Sequence, residues 1–130
     1  MPAASAIRVL IVDDQISIRT LLRNSLAQLG VFQVSERRNG KEALDFFSEN
    51  QAHLIISDFN MPEMNGLDLL KNIRATPKTA KVAFIILTGE ASKDLVQEAI
   101  KYGVNNLLAK PYTVGKLKTA IEAVFGAITV

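Results

Sequence analysis

Two adjacent aspartates, Asp13 and Asp14, follow an unbroken aliphatic run, and a third, Asp58, follows another such run 44 residues after Asp14. Thr88 and Lys110 come at the ends of two more runs, at successive spacings of 30 and 22 residues. Like charges in close quarters cost free energy unless a cation or a proton relieves them. Three carboxylates without His or Cys partners favour a hard, oxygen-seeking cation, so Mg²⁺ is expected rather than zinc. Mg²⁺ keeps several waters and commonly binds one or two carboxylates plus a phosphate oxygen. An ammonium at Lys110 and a hydroxyl at Thr88 then suit the phosphate itself. An aspartate can also be the nucleophile that forms an aspartyl-phosphate. Asp58 is best placed for this, standing alone after its run and before FNMPEMNG, where Pro62 and Gly66 bend the chain toward the site. A single aspartate after a strand is ordinarily a turn residue or a cap. Four run ends that all carry reactive groups strain that reading.

The groups can meet only if the runs are strands of one sheet. IRVLIV (7–12), HLIIS (53–57), AFIIL (83–87) and NLLA (106–109) are short and nearly free of polar residues, as parallel strands covered on both faces should be. VFQVSE (31–36) alternates with polar residues and suits an edge strand. Helical spacing fills the intervals. Residues 16–29 carry Ile18, Leu21, Leu22, Leu26 and Leu29 before a stop at Gly30, and residues 41–49 carry Ala43, Leu44 and Phe47. Residues 66–74 carry Leu67, Leu70 and Ile73, and residues 92–102 carry Leu95, Val96, Ala99 and Ile100 before Gly103. Residues 113–126 open at Thr113, a good cap, and carry Val114, Leu117, Ile121 and Val124. These stripes are expected to be core. Strict strand–helix alternation predicts a doubly wound α/β domain with a five-stranded parallel sheet. With the polar strand at an edge, the expected order is 2-1-3-4-5, the flavodoxin-like arrangement. Ligands in such sheets bind beyond the carboxyl ends of the strands, where the winding reverses. All five chemical groups fall on that rim.

Composition narrows the classes. A chain of 130 residues, 48% hydrophobic and 22% charged, fits one globular domain (1–130) with a real core. A net charge of +2 gives no case for nucleic acid, and the Arg37-Arg38 doublet is expected in a charged loop. No apolar run is long enough to span a membrane. The start, MPAASAIRV, lacks the pattern of a secretory signal. The absence of cysteine excludes disulfide and thiolate chemistry and is compatible with a cytoplasmic setting. His53, without a partner signature, is expected to be a strand-start residue.

VDDQ, SDFNMPEMNGLDLL, ILTGE and LAKPY together resemble the receiver domains of two-component response regulators, close to the single-domain CheY-like type. The resemblance covers about residues 6–126. It implies that Asp58 accepts a phosphoryl group from a histidine kinase or a histidine phosphotransfer protein. It implies that Asp14 ligates Mg²⁺ directly and Asp13 through water, with Asp58 and the Asn60 backbone carbonyl as further ligands. Thr88 would swing toward the phosphoryl group and Lys110 would pair with it. Lys110-Pro111 matches the family's cis peptide. Asn60 and Glu90 occupy positions that modulate self-dephosphorylation, and their types are those of chemotaxis-type regulators. Gly89 would leave the pocket open, though a backbone requirement explains it equally well.

One position departs from the family. Many members carry an aromatic on the fifth strand, three residues before the lysine; here the residue is Leu107. A threonine–tyrosine relay that needs a hydroxyl is thereby placed in doubt. Tyr102 and Tyr112 are nearby aromatics, either of which also serves as ordinary packing. Output is expected by protein binding on the face of helix 92–102, strand 106–109 and helix 113–126, since no effector segment follows Val130, and a monomer is expected. The resemblance makes the chain a phosphorelay regulator, in chemotaxis or motility, or alternatively a phosphate sink or phosphotransfer intermediate. It is then not an enzyme beyond acting on its own phosphoryl group. A metal-dependent phosphatase with an aspartate nucleophile needs a second aspartate two residues after the first; Asp13 is followed by Asp14 and then Gln15, so that motif fails. A module that binds without being phosphorylated does not need the complete acidic set.

Overall fold

Runs rich in Val, Ile and Leu become the five parallel strands of a computed structural model that describes residues 3–129. The strands are β1 (Arg8–Val12), β2 (Gln33–Arg37), β3 (Leu54–Asp58), β4 (Ala83–Thr88) and β5 (Asn106–Ala109). Between and after them lie α1 (Ile16–Gln28), α2 (Gly40–Phe46), α3 (Gly66–Ala75), α4 (Lys93–Lys101) and α5 (Val114–Phe125). The sheet order is β2-β1-β3-β4-β5, as the edge character of the second strand predicts. Met1 and Pro2, where the reading of the chain start begins, lie outside the described residues.

Alternate strand residues face opposite layers. Val9, Ile11, Leu54, Ile56, Ile85 and Leu108 pack with Leu22 and Leu26 of α1 and Leu117 and Ile121 of α5. Leu10, Val12, Ile55, Phe84 and Ile86 pack on the other side with Ala43 of α2, Leu70 and Ile73 of α3 and Ala99 of α4. A sheet buried on both faces cannot slip by one residue without exposing a whole row. The register is therefore held, and the strand ends that carry the polar groups stay aligned.

Local chemistry sets the element ends. Asn39, Asn65, Ser92 and Thr113 each cap a helix by accepting a backbone N–H, and Asn65 with Asp68 forms a reciprocal capping box. Gly30 and Gly103 adopt positive φ, at 82° and 81°, and close α1 and α4.

Some expectations are corrected. Leu21 and Ile100 lie 56% and 65% exposed, outside the core stripes. Leu21 and Leu22 are neighbours about 100° apart on a helix, so only one can face the sheet. The second helix stops at Phe46, and Phe47, just beyond it, remains buried. Arg37 is not in a loop: it ends β2, and its guanidinium lies 5.0 Å from the centre of the Phe46 ring. Arg38 does lie beyond the strand, paired with Glu42 at 2.8 Å. His53, expected to start the strand, lies one residue before β3, and its Nδ1 accepts the Arg8 N–H at 3.0 Å.

Candidate functional site

The carboxyl ends of β1 and β3 bring Asp13, Asp14 and Asp58 together, with one carboxylate oxygen from each lying within 4.8 Å of the others. Asp13 and Asp58 are buried and Asp14 is exposed, so the cluster is a pocket with one open wall. Its donors are all oxygen, and the geometry leaves several negative charges facing one another. Burial, the largest influence, pushes the Asp13 carboxyl up to about 6. The Gln15 backbone N–H and Lys110 oppose that rise, while Asp58 and Asp14 add to it. A pocket in which burial and like charge resist ionisation is one that a divalent cation relieves, and the donor set fits Mg²⁺.

Lys110 enters from beyond β5. Its ammonium stands 2.5 Å from Asp58 Oδ1. Its backbone N–H donates to the Thr88 carbonyl at 2.8 Å, extending the β4–β5 pairing by one residue. The Lys110-Pro111 peptide is cis, as the family pattern implies.

Thr88 sits at the end of β4 but is engaged elsewhere. Its hydroxyl donates to the Glu90 carbonyl at 3.0 Å and accepts the Glu90 N–H at 3.1 Å. Glu90 and Asn60 are both exposed on loops at this rim. At Gly89 a Cβ would meet nothing within 4 Å, so packing places no demand for glycine there and the rim is open. Leu107 is half-buried and packs against the core layer of α2, α3 and α4. Tyr102 packs on the same layer, with Lys71 4.8 Å from its ring centre. Tyr112 packs on the opposite layer, and its buried hydroxyl has no hydrogen-bond partner among the described residues.

The β3–α3 loop is shaped by backbone contacts. A Cβ at Gly66 would lie 2.6 Å from the Asp58 carbonyl oxygen, so only glycine lets α3 begin against the strand end. Met64 N–H donates to the Pro62 carbonyl at 2.7 Å, and Glu63 between them has φ 68°, the geometry of a γ-turn.

Two supports escaped sequence reasoning. The Ser57 hydroxyl, fully buried, donates to the Asp58 carbonyl at 3.0 Å. Arg19 of α1 is also buried, and it donates to the Asp13 carbonyl at 2.7 Å. A serine inside a strand carries no sequence signal for such a role. An arginine at a helical position next to Leu22 and Ile18 could have been flagged as cationic on an inward face.

A doubly wound sheet with an acidic, lysine-capped pocket at its winding reversal defines a flavodoxin-like α/β domain equipped to handle a cation and a phosphoryl group. The response regulator receiver domain family matches residues 9–122, and the chain belongs to that family. It is 50% identical over 128 residues to a probable chemotaxis protein CheY of Rhizobium etli, a match covering 98% of this chain and 99% of that one. The structure of CheY4 from Vibrio cholerae superimposes with a TM-score of 0.84 at 33% identity, covering 91% of this chain and 98% of that one. The receiver domain of sensor histidine kinase PA1611 from Pseudomonas aeruginosa matches with a TM-score of 0.82 at 25% identity, covering 93% and 98%. That structure has a magnesium ion coordinated in its active-site cleft.

Proposed function

We propose that this receiver accepts a phosphoryl group on Asp58 from a phosphohistidine of a histidine kinase or histidine phosphotransfer protein. The observation that supports this most directly is the Lys110 ammonium on Asp58 within an all-oxygen acidic cluster. An Asp58 oxygen attacks phosphorus, the P–N bond to the donor imidazole breaks, and the imidazole takes up a proton as it leaves. Asp13, Asp14, Asp58 and the Asn60 carbonyl would hold Mg²⁺, which would supply neutralisation of the charge on the transferring phosphoryl oxygens. Lys110 moves its ammonium from the carboxylate to the new phosphoryl oxygens. Thr88 exchanges its bonds to Glu90 for one to the phosphoryl group. A tenfold population shift needs about 1.4 kcal/mol, within reach of one charge-assisted hydrogen bond.

Freeing Glu90 remodels the loop between β4 and α4, and the face of α4, β5 and α5 changes its affinity for a protein partner. Leu107 lacks a hydroxyl, so the readout runs through this loop and the packing of Leu107. Asn60 and Glu90 set the rate at which water removes the phosphoryl group. The 50% identity to a chemotaxis protein over nearly all of both chains supports a role in chemotaxis. The test is intact mass after incubation with Mg²⁺ and acetyl phosphate. One added phosphoryl mass is expected, absent in Asp58→Asn; no gain, or an equal gain in the variant, refutes the reading.

A further inference from the structure

Arg19 is a cation placed beside a site for a metal ion, where like charge is unfavourable. It is 9% exposed, lies on the first turns of α1, and touches the residue that begins the acidic pair. Its guanidinium donates through one terminal nitrogen to the Asp13 carbonyl at 2.7 Å and through Nε to Glu36 Oε1 at 3.0 Å. The second oxygen of Glu36 accepts from Arg23 at 2.7 Å. Glu36 comes from the edge strand, in register opposite Ile11 of β1. Three elements, α1, β1 and β2, thus meet on one buried guanidinium.

The turn that Arg19 grips has few other restraints. The strand pairing ends with Val12 opposite Arg37, so the Asp13 carbonyl has no partner in the sheet. The α1 N-cap, Gln15, makes no side-chain capping bond. What holds Asp13 is its N–H on the Arg37 carbonyl at 3.2 Å, its carboxylate on the Gln15 N–H at 2.9 Å, and Arg19 on its carbonyl. The carbonyl belongs to the peptide joining Asp13 to Asp14. Fixing that peptide plane fixes the direction in which both side chains leave the strand. Glu36, which it shares with Arg23, offsets part of the guanidinium charge and so lessens its opposition to a bound cation.

We propose that Arg19, with Glu36 as its counter-ion, is a positioning residue that sets the Asp13–Asp14 peptide so that both carboxylates project into the metal pocket. The proposal rests on the reading of that pocket as a Mg²⁺ site. Groups that orient metal ligands typically contribute about tenfold or more to affinity. A guanidinium can serve two acceptors in fixed directions, which an ammonium cannot.

The test is calorimetric titration of Mg²⁺ into the wild-type protein, Arg19→Met, Arg19→Lys and Arg23→Met, with a thermal melt of each. Acetyl phosphate labelling is measured across the same Mg²⁺ range. Arg19→Met should weaken Mg²⁺ binding about tenfold, with the labelling rate at saturating Mg²⁺ recovering to within about threefold of wild type. Arg23→Met breaks the other half of the Glu36 pair without touching Asp13, and should shift the dissociation constant less than about twofold. A merely structural Arg19 would lower the melting temperature and leave the dissociation constant of the folded protein unchanged. That result, or equal weakening in Arg19→Met and Arg23→Met, overturns the proposal. Should Arg19→Met not fold, Arg19→Lys carries the same test: weakened binding supports the proposal and a wild-type constant overturns it. A wild-type protein that binds no Mg²⁺ instead overturns the reading of the pocket, and the proposal with it.

Discussion

The Lys110 ammonium stands 2.5 Å from Asp58 Oδ1, a contact between residues 52 positions apart that joins the last strand end to the central one. It is the only salt bridge to the acidic cluster among the described residues. In the metal-free protein it offsets part of the repulsion among three carboxylates. Lys110→Ala leaves a buried Asp58 without a charged partner, which should cost the metal-free protein about 1–3 kcal/mol. The same change makes the pocket more negative, so Mg²⁺ should bind more tightly and restore more stability than in the wild type. Melting temperatures with and without Mg²⁺ check this. An equal Mg²⁺-induced rise in both proteins would contradict it.

Asp13 gives the pocket a pH dependence whose sign follows from its raised value of about 6 against an ordinary 3.8. Between those values the folded protein binds more protons than the unfolded chain, so stability falls as pH rises. Above about 6 the cost is constant, at most about 3 kcal/mol. Asp13→Asn removes it. The variant should therefore be more stable than the wild type in EDTA at neutral pH, with the difference shrinking toward pH 4. Mg²⁺ binding should show the converse in the wild type, its apparent affinity falling as pH drops below about 6 because protons compete for the ligand. Urea unfolding across this pH range, for both proteins, measures the first effect. A stability difference that does not change with pH would show that Asp13 is not the titrating group.

How much of this was legible before the structure follows from what is local and what is not. Strand runs, the helix cap at Thr113 and the stop at Gly30 are local, and each element lies within a few residues of its pattern, with α2 ending at Phe46 rather than at residue 49. The convergence of Asp13, Asp14, Asp58 and Lys110 is not local, yet it was legible because parallel strands of a doubly wound sheet all point their carboxyl ends to one rim. Arg19 was legible at most as a cation on an inward helix face, not in what it holds. Its partners are a backbone carbonyl, which no sequence pattern marks, and Glu36, which faces it only once the β1–β2 register is known. The Thr88 hydroxyl was legible as a group at the rim but not as one tied to Glu90, because that bond depends on the loop conformation. Leu21 and Ile100 were misassigned because apolar spacing bounds a helical face only to within a residue or so.

The two glycines beside the site make opposite demands, and a pair of alanine variants separates them. At Gly66 an added Cβ would sit 2.6 Å from the Asp58 carbonyl oxygen and 3.1 Å from the Phe59 Cα. Both are backbone atoms, so no rotamer change relieves the overlap and either α3 or the end of β3 must move. Gly66→Ala should destabilise the protein by about 1–3 kcal/mol, the usual cost of overpacking. Because the displaced atom belongs to Asp58, acetyl phosphate labelling should also slow beyond what the unfolded fraction explains. At Gly89 a Cβ meets nothing within 4 Å, and its φ lies outside the left-handed region that favours glycine. Gly89→Ala should therefore change stability by no more than about 0.5 kcal/mol. Chemical denaturation of the two variants beside the wild type, with labelling rates measured on the folded fraction, tests both expectations. Equal stability loss at the two positions would mean that backbone freedom, rather than the closeness of α3 to Asp58, accounts for the glycine at 66.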